Sequence, residues 1–403
     1  MSMLTHRQLF LQHNAQTSSS PLLLEFERAN GMYMYDIDGK AYMDLISGIG
    51  VSNIGHCHEN VVKAIQKQAE TYMHLMVYGE YIQSPQVKFA ERLASVLPDP
   101  LKCVYFVNSG AEATEGALKL AKRFTGRTEI ISCHNAYHGS THGALSVMGN
   151  EYFKQAYRPL LPGIRFIHFN NEDDLKDITA NTACVIIETV QGEAGVRVPS
   201  LQYLQKLRER CNETGTLLIL DEIQTGFGRT GTLFAFEQYG IVPDILLLAK
   251  GMAGGMPLGA FIASKDMMSV LADNPVLGHI TTFGGNPVCC AAGLATLETI
   301  LDQSLMEGVD RKEKLFRRLL VHPAISDVRG TGLLLAVELS DYTFNKQVID
   351  RCIGHGIITD WFLHCDNAMR IAPPLIITDD EIEKACGIII ESINYFYKIA
   401  PKV

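Results

Sequence analysis

Two stretches of the chain are apolar at every position instead of alternating between apolar and polar residues. They are residues 217–220 and 245–249, and residues 184–187 have the same character. A strand that is apolar on both faces is typical of a parallel sheet covered by helices on each side. The pattern therefore predicts a buried, mostly parallel sheet at the centre of an α/β protein.

In other parts of the chain, apolar residues recur at the spacing that is typical of half-buried strands and helices. Residues 25–44 alternate as strands do, with a hairpin turn at residues 38–39. Val61, Ile65 and Ala69 recur at helical spacing, which predicts an amphipathic helix. Further along, the sequence predicts a helix over residues 85–96, a strand over 104–107 and then a helix that runs through Arg123.

The composition changes at about residue 300, where a helix rich in arginine and lysine begins. Glycines, an apolar strand and further helices follow, which predict a second lobe with an antiparallel sheet. We expect an amino-terminal arm and part of a small domain in residues 1–45, a large domain in 46–298 and the rest of the small domain in 299–403.

Charge and cysteine content narrow the possible partners and the compartment. The net charge of −9 argues against nucleic acid or an anionic membrane as the main partner, which leaves small metabolites. The ten cysteines form no CxxC pair, as expected for reduced thiols in the cytoplasm. No apolar span reaches transmembrane length, and the first residues lack the apolar core of a signal peptide.

Lys250 follows directly after the apolar residues 245–249, and glycines come next. The carboxyl ends of parallel strands form the edge at which open α/β sheets bind ligands. A lysine that is partly removed from water there has a lowered pKa and can act as a nucleophilic amine. The alternative is a solvated surface charge, which is what most lysines are.

Asp221 ends the other apolar stretch, and Glu222, Ile223 and Gln224 follow it. The segment from Asp221 to Lys250 is long enough for a crossover that returns to the same edge of the sheet. If the two strands are neighbours, a carboxylate and an amine face one site. Pyridoxal phosphate (PLP) requires this pair, because its ring nitrogen needs an acid and its aldehyde needs a lysine.

Small residues mark the junction between the strand at 104–107 and the following helix. The sequence there is NSGAEA, residues 108–113. Free backbone N–H groups at a helix amino end attract anions, so this junction is a candidate phosphate site. It matches neither a Walker loop nor the GxGxxG motif, which disfavours nucleoside triphosphates and dinucleotides as ligands. An ordinary turn in which Ser109 caps the helix is the alternative.

Further polar residues follow predicted strands, and each has a second interpretation. Tyr137 and His138 lie before a glycine, where the tyrosine ring could stack on a cofactor or pack in the core. Glu188 ends the strand at 184–187, and Glu193 lies in a glycine-flanked loop where it could simply be solvated.

His56 and His58 are separated by one residue, which suggests a metal site. No carboxylate or cysteine set of suitable spacing accompanies them, so we interpret them as polar residues of a turn and expect no metal.

The order of these motifs resembles the class III aminotransferases of PLP fold type I, the ornithine and omega-amine enzymes. The resemblance extends from about residue 20 to 395 and rests on seven stretches: NSGAEA, YHG, QGEAG, LDEIQTGFGRTG, LAKGMAGG, TTFGGNP and MRIAPPL. It implies a large domain with a mostly parallel sheet flanked by helices, and a smaller α+β lobe built from both termini.

The resemblance also implies a role for each matching residue. Lys250 would hold PLP covalently and later move the proton, and Asp221 would pair with the ring nitrogen. The other residues implied at the cofactor are Ser109, Gly110 and Ala111 at the phosphate, Tyr137 and Ile223 on the two ring faces, Gln224 at the ring hydroxyl, and His138 and Glu188 nearby. Thr282 would reach the phosphate from the neighbouring subunit, so a homodimer with shared active sites is implied.

At the substrate, the resemblance implies that Arg370 receives the carboxylate of 2-oxoglutarate or glutamate and that Glu193 masks it while an amine is bound. Two positions depart from the ornithine and acetylornithine enzymes: Ser140 stands where they carry an arginine, and Ile49 appears at their substrate-binding tyrosine. Because a hydroxyl cannot form the bidentate pair of an arginine, an α-carboxylate would not be held at Ser140.

We therefore expect a ping-pong transaminase that moves the terminal amine of a putrescine-like diamine or omega-amino compound to 2-oxoglutarate, since two stretches are similar to the putrescine aminotransferases. An acetylornithine- or ornithine-type aminotransferase is the alternative within the family. An aminomutase or decarboxylase on the same scaffold, a non-catalytic PLP-binding protein and a phosphate-binding hydrolase also stay open.

Overall fold

A computed structural model describes residues 4–397. Its strands form one seven-stranded sheet and two four-stranded sheets. The large sheet lies between layers of helices, and the two small sheets belong to a second core. This mixed α/β arrangement confirms the predicted fold class.

The seven-stranded sheet is parallel except for one strand. Gly259–Ala263 runs antiparallel to both of its neighbours, and no pattern in the sequence predicts this strand. Across the sheet the strands follow the spatial order Cys103–Val107, Gly259–Ala263, Ile245–Leu248, Leu217–Asp221, Thr182–Glu188, Glu129–Cys133 and Ile164–Ile167.

Helices cover both faces of this sheet, which explains why its central strands do not alternate. Leu218, Leu220 and Leu246 point into a core shared with the helices Ser84–Val96, Leu201–Thr214 and Pro287–Asp302. Ile219, Ile245 and Leu247 point the other way, against the helix Gly110–Thr125. Both sets of side chains are removed from water, so each strand is apolar throughout.

The strand pair Leu217–Asp221 and Ile245–Leu248 is parallel and adjacent, with Asp221 opposite Leu247. The second strand ends one residue before the predicted limit, because Ala249 leaves the extended conformation and a 3-10 turn, Lys250–Ala253, begins. Lys250 itself has φ of 46°, in the left-handed region that is costly for a residue with a side chain. The turn brings Lys250 to the same edge of the sheet as Asp221.

The remaining helices surround the two cores. In chain order they are His6–His13, Glu59–Thr71, His142–Ser146, Lys265–Ser269, Val309–Leu319, Tyr342–Gly354 and Asp379–Tyr397, with 3-10 segments at Glu151–Phe153, Gln155–Tyr157, Glu172–Asp177 and Ala235–Tyr239. A short turn, Ser47–Gly50, has positive φ at all four residues, including 67° at Ile49.

Both ends of the chain contribute to the second core, which contains Met43 and Leu45 from the first part and Phe316 and Ile389 from the last. One four-stranded sheet joins Phe26–Asn30, Tyr33–Asp36, Ala41–Asp44 and Ile357–Ile358; the other is antiparallel and consists of Asp327–Thr331, Leu334–Glu338, Cys365–Ile371 and Trp361–Phe362. The exact domain bounds at residues 45 and 298 stay predictions.

Within residues 4–397, no helix has both the length and the apolar character needed to cross a membrane.

Close packing of Gly116 sets the position of the helix Gly110–Thr125 on the large sheet, because a Cβ atom there would overlap the ring of Phe261. We predict that Gly116→Ala lowers the free energy of unfolding by about 1–3 kcal/mol through overpacking. The matched control is Gly387, which lies in the helix Asp379–Tyr397 with open space at its Cβ position. Gly387→Ala should stabilise by roughly 0.5–1 kcal/mol through helix propensity. Chemical denaturation measures both, and the same sign of change for the two variants would contradict this packing.

Candidate active site

A cavity of about 700 Å³ opens at the carboxyl edge of the large sheet. It contains residues from every stretch that the sequence analysis singled out near the cofactor except Thr282. Its lining includes Ser109, Gly110, Ala111, Tyr137, His138, Ser140, Glu188, Glu193, Asp221, Ile223, Gln224 and Lys250. The predicted amine and the predicted carboxylate therefore face one space.

The Lys250 side chain is half-buried and lies among charged groups. Removal from water lowers the pKa of its amine, which Glu193 opposes and Arg370 reinforces. The backbone directly after it is closely packed, since a Cβ atom on Gly251 would lie 2.5 Å from Asn53 Nδ2. The lysine is thus held in place and more easily deprotonated than one in water.

Asp221 is buried and has two hydrogen-bond partners in the described chain. Its Oδ2 lies 2.7 Å from Nδ1 of His138, and its Oδ1 accepts the backbone N–H of Ile223 at 3.0 Å. His138 is itself buried, and its Nε2 finds no partner among residues 4–397. The histidine therefore contacts the carboxylate directly, so that Asp221 is held with a fixed orientation.

The predicted phosphate site is the amino end of the helix Gly110–Thr125. Ser109 caps this helix, since its hydroxyl accepts the backbone N–H of Glu112 at 3.2 Å. Ser109 and Gly110 also line the cavity, so the helix cap is confirmed and the phosphate site stays a prediction. Gly110 is close to Ile223: a Cβ atom there would lie 2.8 Å from Ile223 Cδ1. This packing brings the helix end and the apolar wall at Ile223 together.

Tyr137 is half-buried and lines the cavity instead of the core. Its backbone N–H donates to Glu188 Oε1 at 3.0 Å, and Glu188 Oε2 accepts from the Gly192 N–H at 2.9 Å. Burial raises the pKa of Glu188 to about 7. Glu188 thereby ties the tyrosine segment to the loop that carries Glu193.

Glu193 is buried and paired, so the solvated interpretation is wrong. Its two oxygens each accept an N–H of the Arg370 guanidinium at 2.9 Å, and Gln224 Nε2 donates to Oε1 at 3.2 Å. Burial alone would raise the pKa of Glu193, but Arg370 lowers it to about 2. Gln224 keeps its buried Oε1 without a partner in the described part of the chain.

A smaller cavity of about 390 Å³ adjoins the first. Tyr137, Glu193 and Lys250 line both, and Ile49 and Arg370 line the smaller one. Three further residues of this cavity were missed by the sequence analysis: Asp360, Trp361 and Leu363. No local sequence pattern marks these residues. They lie at strand ends of the second lobe and reach the site only because their strand pairs antiparallel with the strand that contains Arg370.

Two predicted features lie outside the cavity. Thr282 is exposed and does not line it. His56 binds Asp44 Oδ2 through Nε2 at 2.8 Å, and His58 caps the helix Glu59–Thr71 by accepting the N–H of Asn60 at 3.3 Å. Residues 4–397 contain no group of three or more side chains arranged to hold a metal ion. The histidines therefore serve a turn and a helix cap.

The donors and acceptors of the larger cavity fit PLP. A buried carboxylate, Asp221, suits the ring nitrogen, and the unpaired Oε1 of Gln224 suits a ring hydroxyl. The helix amino end at Ser109 suits an anionic phosphate. Each polar part of PLP thus has a complementary group.

Comparison with known proteins agrees with this chemistry. Residues 14–393 match the family described as "Aminotransferase class-III". Acetylornithine aminotransferase of Methanosarcina mazei is 42% identical over 92% of this chain and 91% of its own length, and that of Caldanaerobacter subterraneus subsp. tengcongensis is 39% identical over 90% and 92%.

Solved structures give the same picture. The ornithine aminotransferase of Toxoplasma gondii superposes with a TM-score of 0.89 at 33% identity, covering 98% of this chain and 96% of that one. A transaminase of the marine bacterium Virgibacillus superposes with a TM-score of 0.91 at 28% identity, covering 97% and 99%.

These matches span nearly the whole length of both partners and confirm the predicted enzyme class and its cofactor, PLP. The chain belongs to the class III aminotransferases, a family of PLP-dependent enzymes.

Proposed function

We propose that this enzyme moves the terminal amino group of an acetylornithine- or ornithine-type donor to 2-oxoglutarate. The observation that carries the proposal is the larger cavity, which Lys250 and Asp221 both line. In the adjoining cavity Arg370 is bound to Glu193, a carboxylate that a substrate can displace. The names of the relatives at about 40% identity support this donor type.

For the cofactor, the proposed assignment follows the fit described above. Asp221 would pair with the ring nitrogen, with His138 fixing its orientation through the 2.7 Å contact. Ser109, Gly110 and Ala111 would bind the phosphate, Tyr137 and Ile223 would cover the ring faces, and Gln224 would bind the hydroxyl. When bound, PLP supplies an electron sink that stabilises negative charge at the neighbouring substrate carbon.

Lys250 then serves as the general base and acid. Its lowered pKa leaves a larger fraction of the amine neutral, and only the neutral form can accept a proton from the substrate carbon. The left-handed backbone at Lys250 and the close packing of Gly251 restrict where the amine can lie. Tyr137 and Ile223 form the cavity walls that reduce access of water.

Arg370 and Glu193 account for how one site accepts two different substrates. While an amine occupies the cavity, Glu193 neutralises the guanidinium through two N–H···O bonds of 2.9 Å. When an oxo acid enters, its carboxylate takes the place of Glu193 on the same two N–H groups. Arg370 is thus paired with a carboxylate in both half-reactions.

A putrescine-like diamine is the second candidate donor, and Ser140 favours it. Ser140 is exposed at the cavity edge, and its hydroxyl lies 3.4 Å from the hydroxyl of Tyr137. Within residues 4–397, no arginine or lysine other than Lys250 lines the larger cavity. A donor without a carboxylate would need no cation there.

We predict that Lys250→Ala abolishes multiple turnover, because both the covalent link and the proton transfer are lost. Lys67→Ala, at an exposed lysine of the helix Glu59–Thr71, is the control and should retain wild-type activity. The measurement is steady-state glutamate formation from 2-oxoglutarate. Turnover by the Lys250 variant at a wild-type rate would contradict the assignment.

Donor choice is tested with Ser140→Arg. An arginine there can pair with an α-carboxylate, so we expect KM for acetylornithine to fall about ten-fold, equivalent to one good ion pair, and KM for putrescine to rise. Donor panels of both proteins are assayed with 2-oxoglutarate as acceptor. A wild-type preference for putrescine over acetylornithine and ornithine would replace the first candidate by the second.

We also propose that the enzyme is a homodimer with shared active sites. Thr282 is exposed. Large apolar side chains are also exposed in the segments 73–82 and 276–283, which touch through the rings of His74 and Phe283, 5.0 Å apart. Among them, Ile82 is 96% and Val276 is 69% exposed. Apolar surface of this kind is typical of a subunit interface.

Subunit complementation tests this arrangement. Lys250→Ala chains co-expressed with Thr282→Glu chains should regain activity, because each mixed dimer has one site with an intact lysine and an intact partner threonine. Ser109→Glu is the control; its lesion lies in the same chain as its own Lys250, so it should not complement. Failure of Thr282→Glu to complement, in a confirmed dimer, would place Thr282 outside the partner's site.

A reducing cytoplasm is the proposed location. All ten cysteines are free thiols, and seven of them are buried.

A further inference from the structure

The guanidinium of Arg370 has two different carboxylate partners. Its outer N–H groups, on Nη1 and Nη2, bind Glu193, whereas Nε donates to Asp360 Oδ1 at 2.9 Å. The ring of Phe362 lies under its face, with Cζ 4.6 Å from the ring centroid. One edge of the guanidinium thus faces the cavity, and the other edge is held by the second lobe.

Asp360 is tied to Arg370 by the backbone as well as by its side chain. The backbone N–H of Arg370 donates to the Asp360 carbonyl at 2.8 Å, and the hydroxyl of the preceding residue, Thr359, donates to the Arg370 carbonyl at 2.7 Å. The two residues are therefore neighbours in a fixed register. This backbone pairing keeps the Asp360 side chain next to the arginine.

Glu193 is held differently. It lies in the loop between Gly192 and Gly195, and its side chain is bound by groups that another carboxylate could use equally well: Arg370, the Leu363 backbone N–H at 3.1 Å and Gln224. Glu193 also lines both cavities, so it stands on the path of an entering substrate. Of the two carboxylates, Glu193 is the one that can be exchanged.

We propose that Asp360 is a positioning residue for the oxo-acid acceptor: it holds Arg370 by Nε so that the Nη1 and Nη2 edge stays directed into the cavity when Glu193 leaves. The inference rests on the proposed function in that it takes an oxo acid as the incoming carboxylate. Without Asp360 the Nε side of the guanidinium would lose its charged partner, and the bidentate geometry would be held less firmly.

The charge on Asp360 is consistent with this role. Burial raises the pKa of its carboxyl to about 6, against the lowering effect of Arg370, so the group is ionised in neutral solution. An ionised acceptor makes the stronger bond to the guanidinium N–H. The arginine is then bound on one side whether or not Glu193 is present.

Kinetics with two kinds of acceptor test the proposal. Asp360→Ala should raise KM for 2-oxoglutarate about ten-fold, the loss of roughly one charge-assisted hydrogen bond. KM for butanal, an acceptor without a carboxylate, should not change, nor should the reaction of the enzyme with the amine donor. Asp360→Asn keeps an oxygen that can accept the Nε–H but loses the charge, so it should recover part of the affinity. Asp366→Ala, at an exposed aspartate of the strand Cys365–Ile371, is the matched control.

Binding can be followed without turnover through Trp361, the single tryptophan of the chain. It lines the smaller cavity, and its carbonyl accepts from Arg370 Nη2 at 3.4 Å. Titration of the holoenzyme with glutarate, an inert dicarboxylate, should change its fluorescence, whereas glutaramide, the uncharged diamide, should not. Asp360→Ala should weaken glutarate binding by the same factor as it raises KM.

Two outcomes would overturn the proposal. One is an equal rise in KM for 2-oxoglutarate and butanal in Asp360→Ala, which would indicate a general disturbance of the fold. The other is unchanged glutarate affinity in that variant. A wild-type enzyme that fails to transaminate any donor, but whose glutarate binding still depends on Asp360, would refute the proposed function and support the role of Asp360.

Discussion

The parallel pairing of Leu217–Asp221 with Ile245–Leu248 is the constraint on which the site depends. Because Asp221 lies opposite Leu247 and Lys250 turns back at once after the second strand, an acid and an amine reach one edge of the sheet. Neither group could be placed by a flexible loop with this accuracy. The strands are apolar on both faces, so their burial provides the rigidity that the polar ends require.

Burial at that edge also determines the electrostatics. Asp221, Glu188 and Glu193 are all removed from water, and each is bound by specific N–H groups or cations. An unpaired carboxylate in such a place would become protonated. Arg370 is the cation that permits Glu193 to stay ionised, and Lys250 is left with a lowered pKa. The charges of the site are therefore interdependent, and a change in one carboxylate alters the others.

Part of the site is predictable from the sequence, because some local patterns have one physical cause. An unbroken apolar run that ends in Asp221 or Lys250 predicts a buried strand with chemistry at its end, since both faces must be covered. Asp360 is not predictable in this way. Its contact with Arg370 depends on the register between two strand ends ten residues apart, which no local pattern predicts. The left-handed backbone of Ile49 escaped notice for a similar reason: a β-branched residue gives no signal for that conformation, which tertiary packing imposes.

The antiparallel strand Gly259–Ala263 was also missed, and it explains part of the geometry. It lies between Cys103–Val107 and Ile245–Leu248 and so separates the phosphate-side strand from the lysine strand. A Cβ atom on Gly259 would lie 2.5 Å from the carbonyl oxygen of Ser109, so this strand passes directly beneath the start of the helix Gly110–Thr125. The five residues of this strand, GAFIA, are too short a run to distinguish a strand from a turn.

The most direct test of the central claim is to reduce the PLP-loaded enzyme with borohydride and to map the modified peptide by mass spectrometry. If Lys250 is the residue that holds the cofactor opposite Asp221, a phosphopyridoxyl group will be found on Lys250, and prior addition of the amine donor will prevent its attachment. A phosphopyridoxyl group on another lysine, with Lys250 unmodified, would contradict the account.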